Sequence, residues 1–218
     1  MSQRGPAVDR GSEDDGGRAR WDDRYRAKTD DEAGASDRSA PDPPPALARL
    51  ASLIPTSGRA LDLAGGDGGG ALFLGRRGLE PTVVDVSPVA LDRAVSFAAA
   101  EDLPLATIRA DLGRVPLTDL LDIVGWPTPT VITCCNYLHR PLLASVAGGL
   151  PSGARFVVAI ATSTNLERHA RPSARFLLEP GELVSLVVGQ APSRLRILHR
   201  REGWSPEGHR AELVVEAR

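Results

Sequence analysis

An α/β fold, with an open and mainly parallel sheet covered by helices on both faces, is predicted by three observations. From Arg59 onward, apolar runs of strand length alternate with segments of helical periodicity. Arg155 to Ala161 is continuously apolar beyond its first residue, as in a parallel strand buried on both faces. The chain then closes on two strand-like runs with no room between them for a crossover helix, which predicts an antiparallel hairpin.

Ala60 to Ala64 reads as the first strand, followed by a glycine cluster and a helix from about Gly69 to Arg77. Thr82 to Val86 is the second strand. The helix from Pro88 to Ala100 starts where a proline suits the first turn and Ser87 suits the N-cap. Ala106 to Ala110 and Val131 to Cys135 are strands three and four, with a short helix at Leu117 to Ile123 between them. Pro141 opens a helix to about Gly148, Arg155 to Ala161 is strand five, and Pro180 to Val188 reads as a helix. The closing strands are Leu195 to Arg200 and Ala211 to Glu216, separated by a Gly203 to Gly208 loop. Seven strands with a terminal hairpin differ from the usual six-stranded dinucleotide fold.

Upstream, residues 1–45 are rich in Gly, Ser, Asp, Arg and Pro, too polar to repay their ordering entropy, and read as mostly disordered. Within them Trp21 and Tyr25 are spaced to share one face of a helical turn, which makes residues 21–25 a lid candidate. Residues 46–218 form the predicted domain, entered through an amphipathic helix from Ala46 to Ile54.

Composition narrows the function. A formal net charge of −2 gives no general attraction to polyanions, so the expected partner is a small-molecule substrate and no nucleic acid. The N-terminus lacks an apolar signal core and no stretch approaches the roughly 18 uncharged apolar residues of a membrane span, so no membrane partner and a cytoplasmic location are expected. The two cysteines, Cys134 and Cys135, are adjacent, which fits a reducing compartment and no metal-ligand spacing. Nothing in the sequence specifies an oligomeric state.

The segment around the glycines carries the chemistry. Gly66-x-Gly68-x-x-Ala71 satisfies the relaxed dinucleotide pattern, which keeps an NAD-dependent oxidoreductase open. Asp62 at the strand end and Asp67 in the loop point elsewhere, because a pyrophosphate at a helix N-terminus is repelled by carboxylates. A ligand carrying an ammonium and a sulfonium reverses that preference, and S-adenosyl-L-methionine is such a ligand. Gly66 and Gly68 give its nucleoside and methionine parts access to backbone, and Asp62 is placed to bind the ammonium. Asp85 follows roughly 20 residues after the loop, where an acid commonly accepts ribose hydroxyls. Asp111, with the Leu112 backbone beside it, is placed to accept the adenine amino group.

At these residues the sequence resembles the class I S-adenosylmethionine-dependent methyltransferases, and within them the small tellurite-resistance-type branch. Leu61-Asp62-Leu63-Ala64-Gly65-Gly66-Asp67-Gly68 is similar to the family's first motif, Val84 to Leu91 to its second-strand acid and helix, and Trp21-Asp22-Asp23-Arg24-Tyr25 to its N-terminal segment. Asn136 to Leu142 and Arg175 to Leu183 resemble two further elements of that branch. The resemblance implies a Rossmann-like seven-stranded sheet of order 3-2-1-4-5-7-6 with the last strand antiparallel, and the cofactor at the C-terminal edge. It adds Ala64, Val86 and Cys134 to the cofactor set of Asp62, Gly66, Gly68, Asp85, Asp111 and Leu112. At the fourth-strand end Tyr137 is a candidate to orient an acceptor and His139 a candidate base. In the loop after strand five, Arg168, His169, Arg171 and Arg175 form a basic stretch that faces either solvent or an anionic acceptor. Relatives carry a Glu-Thr-Phe run where this chain has Ile160-Ala161-Thr162, which keeps a non-catalytic cofactor-binding protein as an alternative.

Overall fold

A computed structural model describes residues 19, 21–27, 39–124, 129–189 and 191–218. The expectation of disorder over 1–45 lies largely outside the described residues. Two short helices come first, α1 over residues 21–27 and α2 at Pro45–Arg49. The predicted Ala46 to Ile54 helix is corrected: α2 gives way at Leu50 to a 3-10 turn at Ala51–Leu53, which still buries Leu47, Leu50 and Ile54.

The alternating region follows as β1 (Arg59–Leu63), α3 (Gly69–Arg76), β2 (Glu80–Asp85), α4 (Pro88–Ala100), β3 (Ala106–Arg109), α5 (Leu117–Val124), β4 (Val131–Cys135), α6 (Arg140–Gly149), β5 (Arg155–Ala161) and α7 (Glu182–Val188). A hairpin of β6 (Leu195–Ser205) and β7 (Gly208–Ala217) ends the chain. The Ser87 hydroxyl accepts the Ala90 N–H and caps α4, as the sequence predicts.

One sheet holds all seven strands in the order β3-β2-β1-β4-β5-β7-β6, with β7 antiparallel to both neighbours and the other pairs parallel. Period-two alternation divides the apolar residues between its faces. Leu61, Leu63, Ile132, Cys134, Phe156 and Val158 pack toward α5, α6 and α7, whereas Ala60, Val131, Cys135, Val157 and Ala159 pack toward α2 and α3. The four central parallel strands therefore end side by side at one edge, above which the connecting loops gather.

The hairpin differs most from expectation. Gly203, Ser205 and Pro206 suggest a long loop, yet pairing continues through Trp204↔His209 and Ser205↔Gly208, leaving only Pro206 and Glu207 as the turn. Trp204 meets the His209 ring edge-on, with centroids 5.2 Å apart, and Arg201 lies 3.6 Å from Glu212 across the strands. Such cross-strand pairs sustain a ladder through residues of weak strand propensity. The hairpin consequently reaches past the sheet edge and adds a wall to the space above it.

Candidate active site

At the C-terminal edge of the sheet lies a cleft of about 1350 Å³. This exceeds the roughly 300–1,000 Å³ of a single small-ligand pocket and leaves room for two molecules side by side. Its floor is the turn after β1. Ala64 leaves that strand at φ 52°, and Asn136 leaves β4 at φ 61°. Non-glycine residues in this region store strain and concentrate at functional sites.

Gly66 follows at φ 56°, and its N–H donates to Asp85 Oδ2 at 2.9 Å. Asp85 Oδ1 accepts the Ser87 N–H at 3.0 Å. The carboxylate is thus aimed at the loop from the end of β2, with lone pairs left for a ligand. Its pKa is raised above the ordinary carboxylate range, chiefly by burial, against which the Ser87 and Gly66 N–H groups act.

Asp62 sits beneath the loop, 3% exposed, where its Oδ1 accepts the Thr133 hydroxyl at 2.6 Å. A Cβ on Gly65 or Gly70 would stand 2.6 Å from Asp62 Oδ2, so these glycines let the loop close over the carboxylate. Burial pushes the Asp62 carboxyl up to about 6. Asp67 is paired with Arg93 of α4 at 3.7 Å, which offsets part of the loop's acidity. The negative field at the loop therefore comes mainly from Asp85 and Asp62.

The remaining sequence-predicted residues divide. Ala64, Gly66, Asp62, Asp85, Val86, Asp111, Leu112 and Tyr137 line the cleft together. Asp111 also shapes its own turn, accepting the Gly113 N–H at 2.9 Å. Gly68, Cys134 and His139 are not brought to it. Gly68 caps α3 at φ 92°, and a Cβ there would stand 2.8 Å from that of Ala94, so its smallness serves the packing of α4. Cys134 points into the core below the sheet, and strand alternation puts Cys135 at the cleft instead. Burial raises the Cys134 thiol well above its usual range and Cys135 to about 12. His139 caps α6, its Nδ1 accepting the Leu142 N–H at 3.4 Å.

Tyr137 keeps its place. Its phenol is raised well above the usual range by burial and then by Cys134 and Asp111, so it stays protonated at neutral pH. Among the described residues its hydroxyl has no hydrogen-bond partner, which leaves it free to donate to a ligand.

Helix α1 covers the loop. Ser87 donates to Asp22 Oδ1 at 2.5 Å, the rings of Trp21 and Tyr25 lie 6.4 Å apart, and the Tyr25 hydroxyl stands over Gly66 where a Cβ would project. Trp21, Arg24 and Tyr25 all line the cleft.

Sequence reasoning missed the opposite wall, formed by Asn165, Glu207 and Arg210 beside the basic residues Arg168, His169 and Arg171. Buried Asn165 joins the loop after β5 to the hairpin: its Oδ1 accepts the His209 N–H at 3.1 Å and its Nδ2 donates to the Arg171 carbonyl at 2.9 Å. The signal for Arg210 was its inward register beside β5, legible only once β7 was known to extend that far.

Among the described residues no helix is long and apolar enough to cross a membrane, and no group of three or more His, Cys, Asp or Glu side chains is arranged to hold a metal ion. Neither a family model nor a curated protein matches the sequence. The fold is similar to that of a TehB-like SAM-dependent methyltransferase from Corynebacterium glutamicum, with a TM-score of 0.60 at 15% identity over 92% of this chain and 99% of that one. Magnesium protoporphyrin IX methyltransferase from Synechocystis, solved with bound SAH, gives 0.59 at 12% identity over 96% and 90% of the two chains. TehB from Haemophilus influenzae gives 0.59 at 14% over 91% and 67%. A seven-stranded sheet in this order, shared over these lengths with such enzymes, is the class I S-adenosylmethionine-dependent methyltransferase fold, and this chain carries it.

Proposed function

We propose that the protein is an S-adenosylmethionine-dependent methyltransferase acting on a small-molecule acceptor. The observation that carries the reading is the Asp85 carboxylate, held against the Gly66 N–H within a cleft large enough for cofactor and acceptor together. The residues fit the cofactor. Gly66 presents backbone without a Cβ, Asp85 has acceptor capacity left for two ribose hydroxyls, and Asp111 and Leu112 stand on the next strand end for the adenine. Buried carboxylates at the loop favour a cationic amino-acid moiety and speak against a pyrophosphate, the mark of the NAD-dependent alternative.

When bound, S-adenosylmethionine supplies a methyl carbon already activated toward displacement by its sulfonium. What the chain must add is alignment and exclusion of water. Trp21 and Tyr25 close one side of the cleft as a lid held by the Asp22–Ser87 bond. Tyr137, kept protonated, orients an acceptor as a hydrogen-bond donor and does not act as a base. An acceptor that is already nucleophilic at neutral pH suits such a site.

Calorimetry with S-adenosylhomocysteine tests the reading. Hydrogen bonds to a charged group contribute about 1.5–3 kcal/mol each, so Asp85→Ala is expected to weaken binding by about 10- to 100-fold or more. Absence of binding by the wild type, or equal binding by the variant, refutes it. Methyl transfer from labelled cofactor across an acceptor panel separates a turning-over enzyme from a cofactor-binding protein without activity.

A further inference from the structure

We propose that the end of the cleft away from the glycine loop binds an organic carboxylate, held by the guanidinium groups of Arg168, Arg171 and Arg210 against an apolar wall of Leu138, Ile160 and Phe176. The proposal deepens the methyltransferase reading and rests on it in making this carboxylate part of the acceptor.

The cleft is electrically divided. Five acids, Asp42, Asp62, Asp67, Asp85 and Asp111, come from residues before β4, with Arg24 of α1 as the basic residue among them, whereas the three arginines come from the loop after β5 and from β7. Several arginines elsewhere sit on carboxylates, Arg49 on Glu212 at 2.6 Å, Arg76 on Glu101 at 2.5 Å and Arg140 on Glu182 at 2.5 Å, whereas others, Arg77 and Arg194 among them, donate to backbone carbonyls outside the cleft. Among the described residues, Arg168, Arg171 and Arg210 have no carboxylate within the 4.0 Å of an ion pair. The one acid on their side of the cleft, Glu207, is taken by two bonds of 2.9 Å from Arg49.

Arg210 is the most demanding of the three. Its Nη2 donates only to neutral acceptors, the Asn136 side-chain oxygen and, at 3.4 Å, the Ala159 carbonyl. Burial lowers its pKa, and the more distant Cys135, Glu207 and Glu212 oppose that shift without pairing with it. Arg168 has its guanidinium carbon 4.0 Å from the centroid of the Trp204 ring, a cation–π contact that positions the group without using its N–H donors. Arg171 is anchored through its carbonyl by buried Asn165.

A planar N–H fork matches a carboxylate in two parallel bonds. The wall beside it selects an organic anion over an inorganic one. Phe176 is 37% exposed and Leu138 half-buried at the cleft, so a ligand with an apolar body covers surface that a bare oxyanion would leave in water.

The test uses the full chain saturated with S-adenosylhomocysteine and titrated with phenylacetate, phenylacetamide and inorganic phosphate. Phenylacetate is expected to bind at least about 10-fold more tightly than the uncharged amide, and the Arg168→Gln/Arg171→Gln double variant is expected to lose that preference while keeping its affinity for S-adenosylhomocysteine. Both residues are exposed, so the double variant tests the site even where Arg210→Gln fails to fold. Equal binding of carboxylate and amide, binding of phosphate in place of phenylacetate, or a preference that survives the double variant overturns the proposal. Failure to bind S-adenosylhomocysteine with the carboxylate preference intact would remove the methyltransferase reading and leave the anion site standing.

Discussion

Asp62 and Thr133 are register partners on the adjacent parallel strands β1 and β4, and the Thr133 hydroxyl donates to Asp62 Oδ1 at 2.6 Å beneath the glycine loop. Burial raises the folded-state pKa of Asp62 from 3.8 to about 6, and the Thr133 bond opposes the rise. Between those values the native state keeps a proton that the unfolded chain has released, so stability falls as pH rises through that window, by about 3 kcal/mol at most. Asp62→Asn cannot ionise. Its stability relative to wild type is expected to increase between pH 4 and 7, as read by urea denaturation, and a flat difference across that range would exclude the assignment. Thr133→Val removes the opposing bond and moves the midpoint further up. A carboxylate that meets the cofactor's ammonium also makes S-adenosylhomocysteine bind more tightly as pH rises through about 6 in wild type but not in Asp62→Asn.

Gly66 and Tyr25 make a second measurable pair. A side chain at Gly66 meets both a left-handed backbone and the Tyr25 hydroxyl. Gly66→Ala is expected to cost about 1–2 kcal/mol from the backbone alone, plus the displacement of α1. Tyr25→Phe removes the hydroxyl and should restore the second part only. Thermal unfolding of the two single variants and the double variant measures this, and strict additivity would show that Tyr25 does not stand over the loop.

On the far face of the sheet, Glu212 of β7 is 2% exposed and accepts from Arg49 of α2 at 2.6 and 3.2 Å. His199 and Arg201 approach the same carboxylate at 3.7 and 3.6 Å, within ion-pair reach, so they offset part of the charge when Arg49 is removed. Arg49→Ala is expected to lose about 1.5–3 kcal/mol, the scale of a hydrogen bond to a charged group, with Arg201 still beside the carboxylate. Adding Glu212→Gln should recover more than about 1 kcal/mol by removing the stranded charge. Chemical denaturation of both variants decides, and a double variant no more stable than the single would contradict the account.

Much of this architecture was legible in the sequence because its signals are local. Pro88 after Ser87 placed the start of α4, the unbroken Arg155 to Ala161 run gave β5, and the terminal runs gave an antiparallel pair. The acids at the ends of β1 and β2 were legible for the same reason, since a strand followed by glycines fixes which residues stand at the sheet edge. Composition misled at the hairpin, where glycine, serine and proline read as loop, and the Trp204–His209 pair overrode them.

The sequence by itself determined the order of strands and helices, the left-handed glycine turn and the acids that face it, because hydrophobic period and backbone freedom act over a few residues. Only the tertiary structure decided which side chain of a pair entered the cleft, Cys135 and not Cys134, since that depends on the face a strand presents. It also turned His139 into a helix cap, packed Gly68 against Ala94, and carried Arg210 across from a hairpin 74 residues away to meet Asn136. Those outcomes rest on long-range pairing, which joins residues whose separation along the chain carries no periodic signal.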